Sequence, residues 1–131
     1  MSNPHEISLA VRDYECDLQG VVNNAVYMNY LEHARHEFLK DRGIDFAEVT
    51  RQGIHLVVVR AELDFRASLT SGDHFTVQTR FERDGRLRIV FHQQIRRASD
   101  GKVMLEGRIT ATSLNEKGRP FVPEDLLARL A

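Results

Sequence analysis

Asn23-Asn24-Ala25-Val26-Tyr27-Met28-Asn29-Tyr30-Leu31-Glu32-His33-Ala34-Arg35-His36-Glu37-Phe38-Leu39-Lys40-Asp41-Arg42-Gly43 is the stretch on which the fold turns. Tyr27, Leu31, Ala34 and Phe38 follow one another at spacings of four, three and four, which lines them up on one face of an α-helix. Met28 and Leu39 widen that stripe. Asn23 or Asn24 can cap the start, because an Asn side chain accepts a bond from an unpaired first-turn N–H. Gly43 stops the helix, since glycine takes the left-handed conformation other residues avoid. A helix of about 18 residues is about 27 Å long.

On either side the period is two rather than 3.6. Upstream, Ile7, Leu9 and Val11 alternate with polar residues in a strand expected from about Glu6 to Tyr14, followed by a polar loop from Glu15 to Asn23. Downstream, a short connection from Asp45 to Gly53 leads into a second strand. There Val57, Val59, Ala61, Leu63 and Phe65 are expected on one face and Arg60, Glu62, Asp64 and Arg66 on the other. A third strand buries Phe75, Val77 and Phe81, a fourth Leu87, Ile89, Phe91 and Ile95, and a fifth Val103, Leu105, Ile109 and Ala111. Asp84-Gly85 and Asp100-Gly101 read as hairpin turns between these runs. Asn115 to Pro120 is a further turn, and Glu124 to Leu130 a short helix. Strands of about ten residues reach about 33 Å, so one helix can lie along an antiparallel sheet. Its stripe is too narrow for a flat five-stranded sheet, which implies strong curvature or dimerisation.

The 131 residues, 42% hydrophobic and 28% charged, suit a single domain spanning 1–131. No apolar run is long enough for a membrane helix. A net charge of −1 supplies no global attraction for nucleic acid. The N-terminus lacks the basic start and apolar core of a signal peptide. A single cysteine, Cys16, fits a reducing, cytoplasmic setting without disulfides.

Residues 11–39 hold a more specific pattern: Asp17, Gly20 three residues on, Val21 and Val22, then a helix carrying Tyr27, Glu32 and Arg35 at set places. This segment resembles the signature of the 4-hydroxybenzoyl-CoA thioesterase family, most nearly its YbgC-like acyl-CoA thioesterase branch. Weaker agreement extends to Ala67–Asp73 and to Gly118-Arg119-Pro120. The resemblance implies an α+β hotdog fold, a long helix wrapped by a curved antiparallel sheet of about five strands. It also implies a homodimer or a dimer of dimers (a homotetramer), and hydrolysis of an acyl-CoA or acyl-carrier-protein thioester. Asp17 matches the catalytic carboxylate, and Asn24 the residue whose backbone N–H polarises the thioester carbonyl. Many YbgC-like members carry His where this chain has Asn24, whose side chain donates a hydrogen bond but exchanges no proton near neutral pH. A non-catalytic acyl-thioester-binding protein is the alternative that this departure raises.

The chemistry asks for a base or nucleophile beside the carbonyl carbon and a donor aimed at the developing oxyanion. Asp17 can supply the first and the helix N-terminus the second. The plainer reading of Asp17 is a turn cap beside Gly20. Gly20, Val21, Val22, Tyr27, Leu31, Val59 and Arg60 are candidates for the substrate pocket. Glu32 is a supporting polar group, or a helix-surface partner of Arg35 or His36. His33 and His36 lack a third ligand at a metal-site spacing, so no metal is expected, nor any cofactor beyond coenzyme A as part of the substrate. Asp13-x-Glu15-x-Asp17 has Leu18 where a calcium loop needs glycine. Cys16, flanked by two carboxylates, is a poor nucleophile. Arg60, Arg66, Arg83, Arg86, Arg88, Arg96 and Arg97, with Lys102, are candidates to meet coenzyme A phosphates.

Overall fold

The computed structural model describes residues 4–131. In it the expected helix, α1, spans Asn24–Asp41 and is capped by Asn23, whose side chain accepts from the Ala25 N–H. Gly43, just past its end, takes φ +73°. The strands are β1 (His5–Ala10), β2 (His55–Phe65), β3 (His74–Asp84), β4 (Arg88–Arg97), β5 (Val103–Leu114) and the two-residue β6 (Pro120–Phe121). They form one antiparallel sheet in the order β1-β3-β4-β5-β2, with β6 paired to the end of β5. A short helix α3 occupies Glu124–Leu130, as its sequence indicated. None of the described helices is long and apolar enough to cross a membrane.

The core lies between α1 and the sheet. Leu31 and Ala34 are fully buried and face Val77, Ile95, Leu105 and Ile109, all fully buried as well. Gly107 sits in the middle of β5, beneath the helix. A methyl group there would come within 3.2 Å of both Leu31 Cδ1 and Leu63 Cδ2, so glycine permits the close approach. Polar residues share this interior, Arg35 of α1 among them. Gln93 on β4 and Thr79 on β3 are register partners and almost wholly buried. Gln93 Nε2 donates to the Leu31 carbonyl and to Thr79 Oγ1, each at 3.0 Å.

Several sequence expectations are corrected. The first strand stops at Ala10 rather than Tyr14, because Glu15 turns the chain: its carboxylate accepts from the Arg12 N–H at 2.8 Å, within a single 3-10 turn, Asp13–Glu15. The connection from Asp45 to Gly53 contains a helix, α2 (Phe46–Arg51), capped by Asp45. Leu87 lies in the turn before β4, half exposed. The facing of β2 is also revised. Val58 pairs with Ala111 and Arg60 with Thr110, which leaves Val59 as the extra residue of a β-bulge. Leu56 and Val58, not Val57 and Val59, therefore share the helix-facing side with Ala61 and Leu63.

Gly107→Val is expected to cost roughly 1–3 kcal/mol by overpacking. The readout is a lower urea midpoint at unchanged slope, and an unmoved midpoint would contradict the close approach.

Candidate active site

The loop before α1 folds back on itself as a small hairpin. The Asp17 N–H donates to the Val21 carbonyl, Cys16 bridges Val22, and the Asn23 N–H donates to the Glu15 carbonyl. Gly20, at φ +82°, makes the reversal possible. Asp17 thus stands two rungs above the helix cap, exposed, and Leu18 at the tip is fully exposed. Asp17 Oδ1 accepts from the Gln19 N–H at 2.9 Å and, more weakly, from the Val21 N–H at 3.4 Å. The turn-capping role is therefore present, and it occupies one carboxylate oxygen while Oδ2 has no partner among the described residues.

The helix N-terminus beside this loop holds an unpaired donor. Asn23 accepts from the Ala25 N–H and the Val26 N–H reaches the Asn23 carbonyl, but the Asn24 N–H has no acceptor among the described residues. A first-turn N–H carries the positive end of the helix dipole, so it is suited to an oxygen that gains negative charge.

The segment from Arg66 to Asp73 clamps this arrangement. Leu69 offers its carbonyl to the Val22 N–H at 2.9 Å, while its own N–H donates to the Tyr27 hydroxyl at 3.0 Å. Val22, Tyr27 and Leu31 are buried, so they form the floor beneath the loop rather than an open wall. Burial raises the Tyr27 hydroxyl's pKa, against the lowering effect of the Leu69 N–H. Tyr30 donates to Glu15 Oε1 at 2.8 Å, and its pKa is pushed far up by burial and by that bond. Partial burial raises the Cys16 thiol, as do the carboxylates of Asp13, Asp17 and Glu15, which is the opposite of what a nucleophile needs.

Other candidates lie apart from the loop. Glu32 is on the exposed side of α1, 3.8 Å from His36. Val59 and Arg60 are on the bulge of the edge strand, with Arg60 Nη2 3.1 Å from Glu62. Arg66, Arg83 and Arg97 are also engaged, with Glu106, Glu124 and Asp100 respectively. Arg96 donates to Gln94 Oε1 and the Gly101 carbonyl. No group of three or more His, Cys, Asp or Glu among the described residues could hold a metal ion. Sequence reading missed Glu15 and Leu69 as supports of the site. Leu69 acts through its backbone and left no side-chain signal; Glu15, three residues after Arg12, had the spacing of a reciprocal cap.

Residues 11–130 match the sequence model of the thioesterase-like superfamily. The chain belongs to that family. It is 47% identical over 116 residues to the acyl-acyl carrier protein thioesterase ATL2, chloroplastic, of Arabidopsis thaliana, covering 88% of this chain and 62% of the relative. It is 44% identical over 130 residues to ATL3 of the same plant, covering 98% and 68%. The chain thus spans about two thirds of the length of these relatives. Among solved structures, a hypothetical protein of Aquifex aeolicus superposes with a TM-score of 0.91 over 98% of this chain and 100% of that one, at 24% identity. That likeness establishes the hotdog fold expected from residues 11–39.

Tyr27→Phe leaves the buried Leu69 N–H without an acceptor and is expected to cost about 1–3 kcal/mol. Chemical denaturation checks it, and a loss below the error of the measurement would show that the clamp is not needed.

Proposed function

We propose that this chain hydrolyses an acyl thioester of coenzyme A or of an acyl carrier protein to free acid and thiol. The observation that carries the reading is the unpaired Asn24 N–H at the start of α1, adjoining the Asp17 loop. The thioester carbonyl oxygen accepts from that N–H, which stabilises the oxyanion as the carbonyl carbon becomes tetrahedral. Asp17 attacks that carbon or takes a proton from the attacking water. The C–S bond breaks, the thiolate is protonated, and one water is consumed overall, supplying the hydroxyl of the acid and the proton of the thiol. Asn24 acts through its backbone, so the absence of histidine there leaves the oxyanion donor intact. The names of the plant relatives support a thioester as substrate and a carrier protein as one form of the thiol.

Gly20 and Val21 edge the reacting carbonyl, with Val22, Tyr27 and Leu31 beneath it. Val59 and Arg60 enter this arrangement from a second copy. β2 is an 11-residue edge strand paired only with β5 among the described residues, and it exposes Val58, Val59 and Phe65. Such an edge invites a partner strand, and pairing of two β2 strands gives a homodimer that can pair again into a dimer of dimers. Glu32 lies along the same helix as a supporting polar group. The chemistry calls for no metal or redox cofactor. Cys16 as the only thiol suits a reducing compartment, cytoplasmic or its equivalent in an organelle.

Asn24 in place of histidine favours a second reading, a binding protein that holds the thioester without cleaving it. Thiol release from a panel of acyl-CoAs and acyl carrier proteins separates the two, since a binder saturates without turnover. For the hydrolase, Asp17→Asn lowers kcat about 10²–10⁴-fold with the fold retained; full activity in that variant would remove Asp17 from the mechanism. Asn24→Pro is a sharper test. Proline suits the first helical position and deletes the N–H together with the carboxamide, whose loss alone Asn24→Ala measures, and Asn23, at φ −61° and ψ 137°, already has the extended backbone that precedes proline. It is expected to lower kcat about 10²–10³-fold with little change in unfolding. Val58→Lys is expected to shift sedimentation from dimer or tetramer toward monomer.

A further inference from the structure

Arg35 is the one charged side chain of α1 that points into the core. It is 8% exposed, and its one hydrogen bond among the described residues runs from Nη1 to Gln93 Oε1 at 3.1 Å. Glu32 reaches it only through its field, and burial lowers the guanidinium's pKa against that field. A guanidinium has five donors, so most of this one is unpartnered. Gln93 cannot turn to supply more, since its Nε2 is already held by the Leu31 carbonyl and Thr79.

The unpartnered side borders a cavity of about 180 Å³. Its walls are largely apolar, with Leu56, Val58, Phe91 and Ala111 of the sheet facing Leu39 of the helix, and Glu32 and His36 at the rim. Glu32, 57% exposed and 3.8 Å from His36, lines the same cavity without bonding Arg35. The cavity therefore combines an apolar lining with one buried cation that lacks a bonded anion. The cation's unbonded nitrogens are not sealed from the cavity, so an entering anion can reach them. A carboxylate matches a guanidinium best, by two parallel hydrogen bonds.

The distance from the proposed thioester site sets what such a carboxylate belongs to. Gln93 ties the guanidinium to the level of Leu31, and Arg35 itself is eleven residues from Asn24. At 1.5 Å per residue this places the cation on the order of 10–16 Å along α1 from the Asn24 N–H. A medium-length acyl chain is long enough to cover that distance.

Resting on the hydrolase reading, we infer that this cavity receives the far end of the acyl group and that Arg35 selects chains ending in a second carboxylate, the monothioesters of medium-chain dicarboxylic acids. Apolar walls hold the methylene chain, the guanidinium holds the distal carboxylate, and hydrolysis at Asn24 releases the free diacid. Arg35 is a specificity-determining residue here, not a participant in bond cleavage.

The test compares suberyl-CoA with octanoyl-CoA as substrates, and suberate with octanoate as ligands in calorimetric titration. Suberyl-CoA is expected to have at least a tenfold higher kcat/KM, and suberate at least tenfold tighter binding. Arg35→Met, close to arginine in volume, is expected to abolish both ratios. Arg35→Lys, which keeps the charge but not the fork, retains part of them and serves if the methionine variant does not fold. Equal treatment of the two chains by the wild-type protein overturns the inference, as does a preference that survives Arg35→Met. The titration stands apart from turnover. Suberate preference without thiol release from the coenzyme A or carrier-protein thioester of either chain keeps the pocket and refutes the hydrolase, whereas octanoyl-CoA hydrolysis without suberate preference does the reverse.

Discussion

The helix and the sheet are held at one separation by one polar side chain inside a mostly apolar interface, that of Gln93. The Leu31 carbonyl, in the middle of α1, accepts from Gln93 on β4 at 3.0 Å, and the same amide also donates to Thr79 on β3. A carbonyl has two lone pairs, so Leu31 can take this bond alongside its helical one. The contact requires close approach, and Gly107, the register partner of Gln93 on β5, removes the side chain that would prevent it. Apolar packing alone would let a helix slide or roll over a sheet. A directional bond from a buried amide resists both motions, because losing it strands polar groups where no water replaces them.

Everything at the N-terminal end of α1 inherits that placement. Asn23 caps the helix, the Tyr27 hydroxyl takes the Leu69 N–H, and Leu69 returns its carbonyl to Val22. The hairpin carrying Asp17 is thereby fixed relative to the first turn of the helix. Catalysis by preorganised donors depends on such rigidity, since a donor that must move into place loses much of its advantage. At the loop tip and on the edge strand, Leu18, Val58 and Val59 meet solvent in the single chain.

Much of this was legible in the sequence because local physics and tertiary structure agree. The stripe Tyr27, Leu31, Ala34, Phe38 is the buried face of α1, Asn23 and Gly43 bound it, and Asp84-Gly85 and Asp100-Gly101 are turns with Gly85 and Gly101 at positive φ. The misses came where an interaction distant in sequence overrides a local pattern. Leu87 fits the alternation of β4 but falls in the turn before it. Gln93 and Thr79 look like breaks in an apolar face, yet they occupy it because the Leu31 carbonyl and each other satisfy them. The helix α2 is too short for a periodic signal, although Asp45 had the character of its cap. At the candidate site, Asp17, Gly20 and Asn24 are singled out by a resemblance to a family, whereas the backbone role of Leu69 leaves no trace in side-chain chemistry.

The bulge at Val59 has a consequence for how such chains vary in length. With that residue set aside, Leu56, Val58, Ala61 and Leu63 alternate without interruption against Val57, Arg60 and Glu62, and the partners of all seven on β5 run consecutively from Ser113 to Gly107. A chain one residue shorter at this point would keep every rung of the ladder. Position 59 is thus a place where insertion and deletion are nearly neutral for the sheet, and related sequences can gain or lose a residue there without refolding. The edge of the molecule can be re-contoured by a length change that the interior does not feel.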